Sequence, residues 1–343
     1  QHTATPRADR RTIVVCAGDH GAGDPGISLG ASHPTVIAAH AIASGSAALA
    51  DVARASRTPI MLVDAGAVEG SALPAATIRL GRGPTRDLLR EPAMTVVDAT
   101  LGLEAGIALA VSLSESGLDV LALGALGVGS ELAAAAVLGA AGGPTLGAAM
   151  HPAPMQGALD GLSDAPTRAS AAPVAIGTDP GFPLDDDRGV ARDLAITPDY
   201  PLVSEPGLDA RTAAGSDADP GLVLAWQQGR TSGASGGLDL LATFGGPETA
   251  VLAGLILGAA SLHIPVILDG HATGVAALIA VRLAPDAAGY LIAAHAGSTL
   301  QGSLLALLGL EPAFAVGLGH GEGIGAAMVL PLLDQVVALA TTR

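Results

Sequence analysis

Lysine and asparagine are absent from the 343 residues, and cysteine occurs once, at Cys16. Every basic side chain is therefore an arginine, and 16 of them face 32 acids for a formal charge of −16. That balance excludes nucleic acid and anionic membrane surfaces as partners, because such contacts need cations to displace counterions from phosphates. A single cysteine excludes an intrachain disulfide and a thiolate-based zinc site, and the apolar neighbours of Cys16 predict a buried thiol. Long apolar runs are lacking too. Gly, Pro, Asp or His breaks each before the roughly 18 to 20 residues that a membrane span needs, so no transmembrane helix is expected. Gln1 to Arg11 has no apolar core of a signal peptide, and a cytoplasmic location is the expectation.

What the chain does have is 50% hydrophobic residues and 47 glycines, enough for a sizeable core in one large or two modest domains. Short apolar runs at Thr12 to Cys16, Ile60 to Val63, Val120 to Leu123, Val174 to Ile176, Val266 to Leu268 and Leu291 to Ala293 read as buried strands, each followed by a turn. Between them Pro34 to Ala53, Val96 to Ser116, Glu131 to Ala141, Pro247 to Leu262, Gly274 to Leu283 and Gly325 to Ala340 read as helices. Continuous apolar strands separated by helices predict an α/β fold, doubly wound around a mostly parallel sheet in a Rossmann-like three-layer arrangement. The expected organisation is a frayed segment over residues 1–11 and a single domain over residues 12–343. Within that domain, stretches rich in Pro, Asp, Ser and Gly predict loop excursions at 148–172 and 180–221.

In such a sheet, ligands bind beyond the C-terminal ends of the strands. The residues there are Gly18-Asp19-His20-Gly21, Gly124-Ala125-Leu126-Gly127-Val128-Gly129-Ser130, Gly177-Thr178-Asp179, Asp269-Gly270-His271 and His295-Ala296-Gly297-Ser298. Near the C-terminus, Gly317-Leu318-Gly319-His320-Gly321-Glu322-Gly323 sets one carboxylate among glycines where an apolar helix begins. Glycine allows close approach and a helix N-terminus favours anions, so Glu322 is the candidate base; a first-turn acid at a plain helix entry is the other reading. The glycine loop before Ser130 suits phosphate or merely close packing. Asp19 and His20 suit acid, base or ligand chemistry, or a strand-end hydrogen-bonding role. No spacing of His or acids announces a metal site.

Several blocks recur in one order: Cys16 to Gly21, Pro25 to Ser28, Gly83 to Asp87 with Arg90 to Thr95, Val266 to Gly270, and Gly321 to Ala327. Together they resemble the nicotinate-nucleotide:dimethylbenzimidazole phosphoribosyltransferase family of cobalamin lower-ligand assembly, from about residue 12 to the end. The resemblance implies transfer of phosphoribose from nicotinate mononucleotide to a benzimidazole-type base with release of nicotinate. It makes Glu322 the general base and implies no metal and no cofactor. Substrates are then expected against Asp19, His20, Ser28, Gly124, Gly127, Gly129, Ser130, Gly177, Asp269, Gly270, Ser298, Leu318 and Gly321. It further implies small-molecule partners (a nucleotide and an aromatic base), a homodimer, and a small helical domain that is reduced or missing here. The chain departs from the family pattern at Ala125, Ser130 and Glu131, and Asp193 stands at a usual lysine position. These departures keep two alternatives open: a diverged glycosyltransferase with another donor or base, and a non-catalytic nucleotide-binding paralogue.

Overall fold

The computed structural model describes residues 6–24, 26–81, 83–143, 219–314, 318 and 321–341. They belong to one of two compact units, the one formed by Gln1–His151 and Gly207–Arg343; the other, Pro152–Pro206, lies outside the described residues. Also outside are the expected strand at Val174 to Ile176, the excursion at 148–172, and Gly177, Asp193 and His320.

Seven parallel strands form one sheet: β1 (Arg11–Gly18), β2 (Ile60–Gly66), β3 (Ile78–Arg79), β4 (Val120–Leu126), β5 (Val266–Leu268), β6 (Leu291–His295) and β7 (Pro312–Phe314). Their order is β3-β2-β1-β4-β5-β6-β7. The chain leaves β1 toward one edge and β4 toward the other, so their C-terminal ends flank a topological switch point. The central strands β1, β4 and β5 are mostly apolar because both faces are covered. Val14 and Cys16 of β1 enter one core with Leu121 and Leu123, while Ile13, Val15 and Ala17 enter the other with Val120 and Ala122. Over the first face lie α3 (Val96–Glu115), α4 (Ser130–Ala140), α5 (Pro220–Thr231), α6 (Gly237–Phe244), α7 (Pro247–Ser261), α8 (Gly270–Leu283) and α9 (Thr299–Leu307). Over the second lie α1 (Pro34–Ser44), α2 (Ala48–Ala55) and α10 (Ile324–Thr341). This is the expected doubly wound, three-layer α/β fold.

With aromatics at 2% of the chain, the core is filled by bringing helices close together. Gly102 and Gly106 of α3 face Ala250, Val251 and Leu255 of α7, and Gly254 and Gly258 of α7 face Leu103 and Ala110 in return. Such contacts gain dispersion from backbone rather than from large side chains.

Four expectations are corrected. Pro34 to Ala53 is not one helix: Gly45 takes φ 79°, a left-handed cap that ends α1 before α2 begins. Residues 8–11 are held, with Ala8 buried, the Arg10 N–H donating to Asp119 (2.9 Å) and Arg11 opening β1. The excursion at 180–221 ends earlier, because Pro220 opens α5 under an Asp219 cap. Finally, α3 at 20 residues is long and apolar enough to cross a membrane on length and composition alone; its glycine face is taken by α7.

Gly106 is one of the tightest points of that packing, since a Cβ there would collide with the Val251 carbonyl and the Leu255 nitrogen. Gly106→Ala is expected to destabilise the fold by about 1–3 kcal/mol, the usual cost of overpacking. Urea unfolding measures it, and a change below about 0.5 kcal/mol would contradict this packing.

Candidate active site

The strand ends at the switch point are joined by buried carboxylates. Asp19 ends β1 with 1% exposure. Its Oδ1 accepts from the Thr35 hydroxyl (2.6 Å) and the Val128 N–H (2.9 Å), and its Oδ2 accepts from the Val68 N–H (2.9 Å). One side chain thereby ties the loops after β1, β2 and β4 to the start of α1. His20 is fully buried; its N–H donates to the Val128 carbonyl (2.9 Å) and its Nε2 lies 3.0 Å from Glu248 Oε1 at the head of α7. Asp19 and His20, both expected against substrate, here engage the surrounding loops through these bonds.

Asp269 ends β5 and is fully buried. Its Oδ2 accepts from Gly323 N–H (3.0 Å) and Gly325 N–H (2.9 Å). On the other side of Glu322, the Gly321 carbonyl accepts from Ala125 N–H of β4 (2.9 Å). Glu322 is therefore fixed through both neighbours, between the ends of β4 and β5, and is itself half-buried at the head of α10. Gly124 and Gly270 are required here. A Cβ on Gly124 would strike the Glu322 backbone, and Gly270 takes φ 83° where a Cβ would meet Gly321. Asp269, also expected against substrate, here holds the backbone on the C-terminal side of Glu322. His295 Nε2 approaches Asp269 Oδ1 to 2.9 Å but off the hydrogen-bonding axis, and its ring stacks on Phe314 with centroids 6.0 Å apart.

The other expected residues lie on the loops and helix heads that follow the strands. Gly127 is partly open, Gly129 caps α4 with φ 84°, and Ser130 opens that helix with its hydroxyl 2.9 Å from His271 Nε2. Ser298 caps α9, accepting from Gln301 N–H (3.2 Å), and is half-open; Leu318 and Gly321 are half-open beside it. Ser28 sits apart on an exposed loop, donating to Glu69 of the loop after β2. That bond and the Gly30 N–H hold the Glu69 carboxyl below its usual range.

Electrostatics sort these groups further. Burial pushes the Cys16 thiol far up, with Glu248 repulsion adding to it, so this thiol is inert. Burial lowers the His271 imidazole and keeps it neutral, although Glu131 and Glu248 oppose the shift. Glu248 is held ionised against its burial by His20. Glu248 escaped sequence reasoning, yet it had a signal: it is the single charge in the otherwise apolar Pro247–Ser261, and such a charge is paired when buried. Among the described residues, no group of three or more His, Cys, Asp or Glu side chains converges as metal ligands. A separate cavity of about 280 Å³ lies between α3 and α7 near Arg86, Met94 and Asp98, lined by none of the loops that hold Glu322.

A doubly wound sheet with glycine loops at its switch point and one acid fixed between the ends of β4 and β5 matches a known class of enzyme. The family described as Phosphoribosyltransferase matches residues 1–160 and 223–343. A nicotinate-nucleotide–dimethylbenzimidazole phosphoribosyltransferase of Halalkalibacterium halodurans is 31% identical over 340 residues, covering 98% of this chain and 79% of that protein. Its namesake in Roseiflexus sp. (strain RS-1) is 33% identical over 331 residues, covering 95% and 78%. The crystal structure of the enzyme so named from Thermus thermophilus superposes with a TM-score of 0.70 at 25% identity, covering 98% of this chain and 84% of that one. The chain belongs to the nicotinate-nucleotide–dimethylbenzimidazole phosphoribosyltransferase family.

Asp269→Ala would leave the Gly323 and Gly325 N–H groups buried without their acceptor. A loss of roughly 2–5 kcal/mol is expected from two unpaired donors. Chemical denaturation measures it; a loss under about 1 kcal/mol would show that these bonds do not anchor the head of α10.

Proposed function

We propose that this protein transfers phosphoribose from nicotinate mononucleotide to a benzimidazole-type base, with Glu322 as general base. The observation that carries the proposal is the fixing of Glu322 between the ends of β4 and β5 by the Asp269 and Ala125 bonds to its two neighbours. In this reaction the bond from the ribose anomeric carbon to the pyridinium nitrogen breaks, its electron pair returns to the ring, and nicotinate leaves without needing a proton. The benzimidazole nitrogen forms the new bond to the same carbon from the opposite face, and its N–H proton passes to the Glu322 carboxylate. One correctly placed acid thus suffices. The partly open Gly127, the half-open Ser298 and Leu318, and the helix heads of α4 and α9 supply N–H groups and hydroxyls for ribose and phosphate.

Glu131 favours a second reading of the donor. It lies in the first turn of α4, near enough to His20 and His271 to raise their affinity for protons, and it places negative charge beside the glycine loop. A donor without a 5′-phosphate meets no repulsion there. Turnover with nicotinate mononucleotide and with nicotinate riboside, each paired with dimethylbenzimidazole, separates the two donors. With either one, Glu322→Gln is expected to cut the rate by about 10²–10⁴ while ligand binding by calorimetry stays within about tenfold. A Gln variant that turns over near the wild-type rate would remove Glu322 from the role of base.

We further propose a cytoplasmic homodimer. The outer face of α3 exposes Val97 (66%), Leu101 (40%) and Val111 (40%), with Glu104 between them, apolar surface of the kind that pairs with a second copy. Light scattering at micromolar concentration is expected to give twice the chain mass of 33.3 kDa; the single-chain mass would contradict the dimer.

A further inference from the structure

The buried pair His20 and Glu248 is absorbed neither by the chemistry of Glu322 nor by the core. Their exposures are 0% and 1%, and Nε2 and Oε1 are 3.0 Å apart. Room has been made for the carboxylate: a Cβ on Gly18 or on Gly246 would run into Glu248. The Thr249 hydroxyl donates to the same Oε1 (2.9 Å). His20 Nδ1 and Glu248 Oε2 have no hydrogen-bond partner among the described residues, so the loop after β1 and the head of α7 are joined across one contact whose strength depends on charge. A buried ion pair of this kind is a weak stability device, because apolar replacements are often neutral or stabilising. Its location gives it another use.

Val128 is the middle residue of the Gly127–Gly129 loop. Its N–H is held by Asp19 Oδ1 (2.9 Å) and its carbonyl by the His20 N–H (2.9 Å). Both holders are consecutive residues leaving β1: the Asp19 side chain is anchored by Thr35 and the Val68 N–H, and that of His20, among the described residues, by Glu248 alone. We propose that His20 and Glu248 are positioning residues of the donor site, a protonated imidazole and a carboxylate that hold the Gly127–Gly129 loop in its binding conformation, and that loss of the imidazole proton releases that loop. The inference rests on the phosphoribosyl-transfer reading of the site.

The groups facing His20 are Glu248 from α7, Asp19 beside it in the chain, Glu131 from α4, and His271 from α8. Burial alone would lower His20, but Glu248 outweighs it with help from Asp19 and Glu131, and His20 rises above its ordinary 6.5. Glu248 falls below its ordinary 4.5, with burial opposing and His20 prevailing. The sign follows. The His20 contribution is complete below pH 6.5 and disappears as pH rises through its raised folded value, while that of Glu248 is complete above pH 4.5 and disappears as pH falls through its lowered one. The loop is therefore held between the lowered Glu248 value and the raised His20 value and released as pH rises through the latter.

The test uses the full chain with labelled histidine, the His20 signal being assigned by its loss in His20→Gln. NMR titration gives the His20 pKa, and the alkaline limb of kcat/KM for the donor is expected to follow it. Glu248→Gln should lower that pKa and move the limb to lower pH by at least about one unit, raising donor KM about tenfold or more with a smaller change in kcat. The apolar double variant His20→Phe with Glu248→Leu keeps the reading independent of folding: if it unfolds no more easily than wild type, donor KM should still be raised. A limb that stays in place while the His20 pKa moves, or a folded double variant with wild-type donor KM, would overturn the proposal. If the wild type transfers nothing from nicotinate mononucleotide or nicotinate riboside, the functional reading fails separately. Hydrogen exchange then decides for the pair: the protection factor of the Val128 N–H should fall as His20 loses its proton, and constant protection across that titration would overturn it.

Discussion

Two backbone N–H groups, those of Gly323 and Gly325, end on one buried oxygen of Asp269, and the position of Glu322 depends on that junction. A buried carboxylate without such donors would be driven to neutrality, and N–H groups at a helix head without an acceptor would be equally costly. Each therefore requires the other. The consequence reaches across the sheet, because the same loop is also held by β4 through the Gly321 carbonyl. Strand ends that carry no catalytic group still decide where the acid sits.

The same device recurs at Asp19, which gathers Thr35, Val68 and Val128 from three different connections. Together the two aspartates turn the C-terminal edge of the sheet into a rigid frame, with glycines at the points where one loop crosses another. Gly124 under Glu322 and Gly127 over Gly18 are such crossings. A chain with few aromatics and many glycines is suited to this construction, since backbone segments pass within van der Waals contact and hydrogen bonds between them do the locating.

Much of the fold was legible. Runs such as Ile13 to Cys16 and Val120 to Leu123 are apolar on both faces, which only a covered parallel strand sustains. By contrast β3 and β7 are short and at least partly open to solvent, and the apolar run from Pro312 to Val316 was not read as a strand. The break at Gly45 was marked by Ser44 and Ser46 on either side, but the alanine-rich runs beyond them carried the helical reading across it. At the site, the chemistry-bearing residues could be picked from strand ends, but their roles could not. Asp19 and Val128 are 109 residues apart and Asp269 and Gly323 are 54 apart, so nothing local distinguishes a carboxylate that ties loops from one that meets a ligand. Glu248 drew no attention in the sequence, since its partner His20 lies 228 residues away.

The central claim is that the acid fixed over β4 and β5 receives the acceptor's proton. A crystal structure with dimethylbenzimidazole and nicotinate bound tests it most directly, through the distance from the azole nitrogen to the Glu322 carboxylate. Hydrogen-bond contact, about 2.6–3.2 Å, is the predicted result. Benzimidazole seated instead in the cavity between α3 and α7, with Glu322 facing no ring nitrogen, would contradict it.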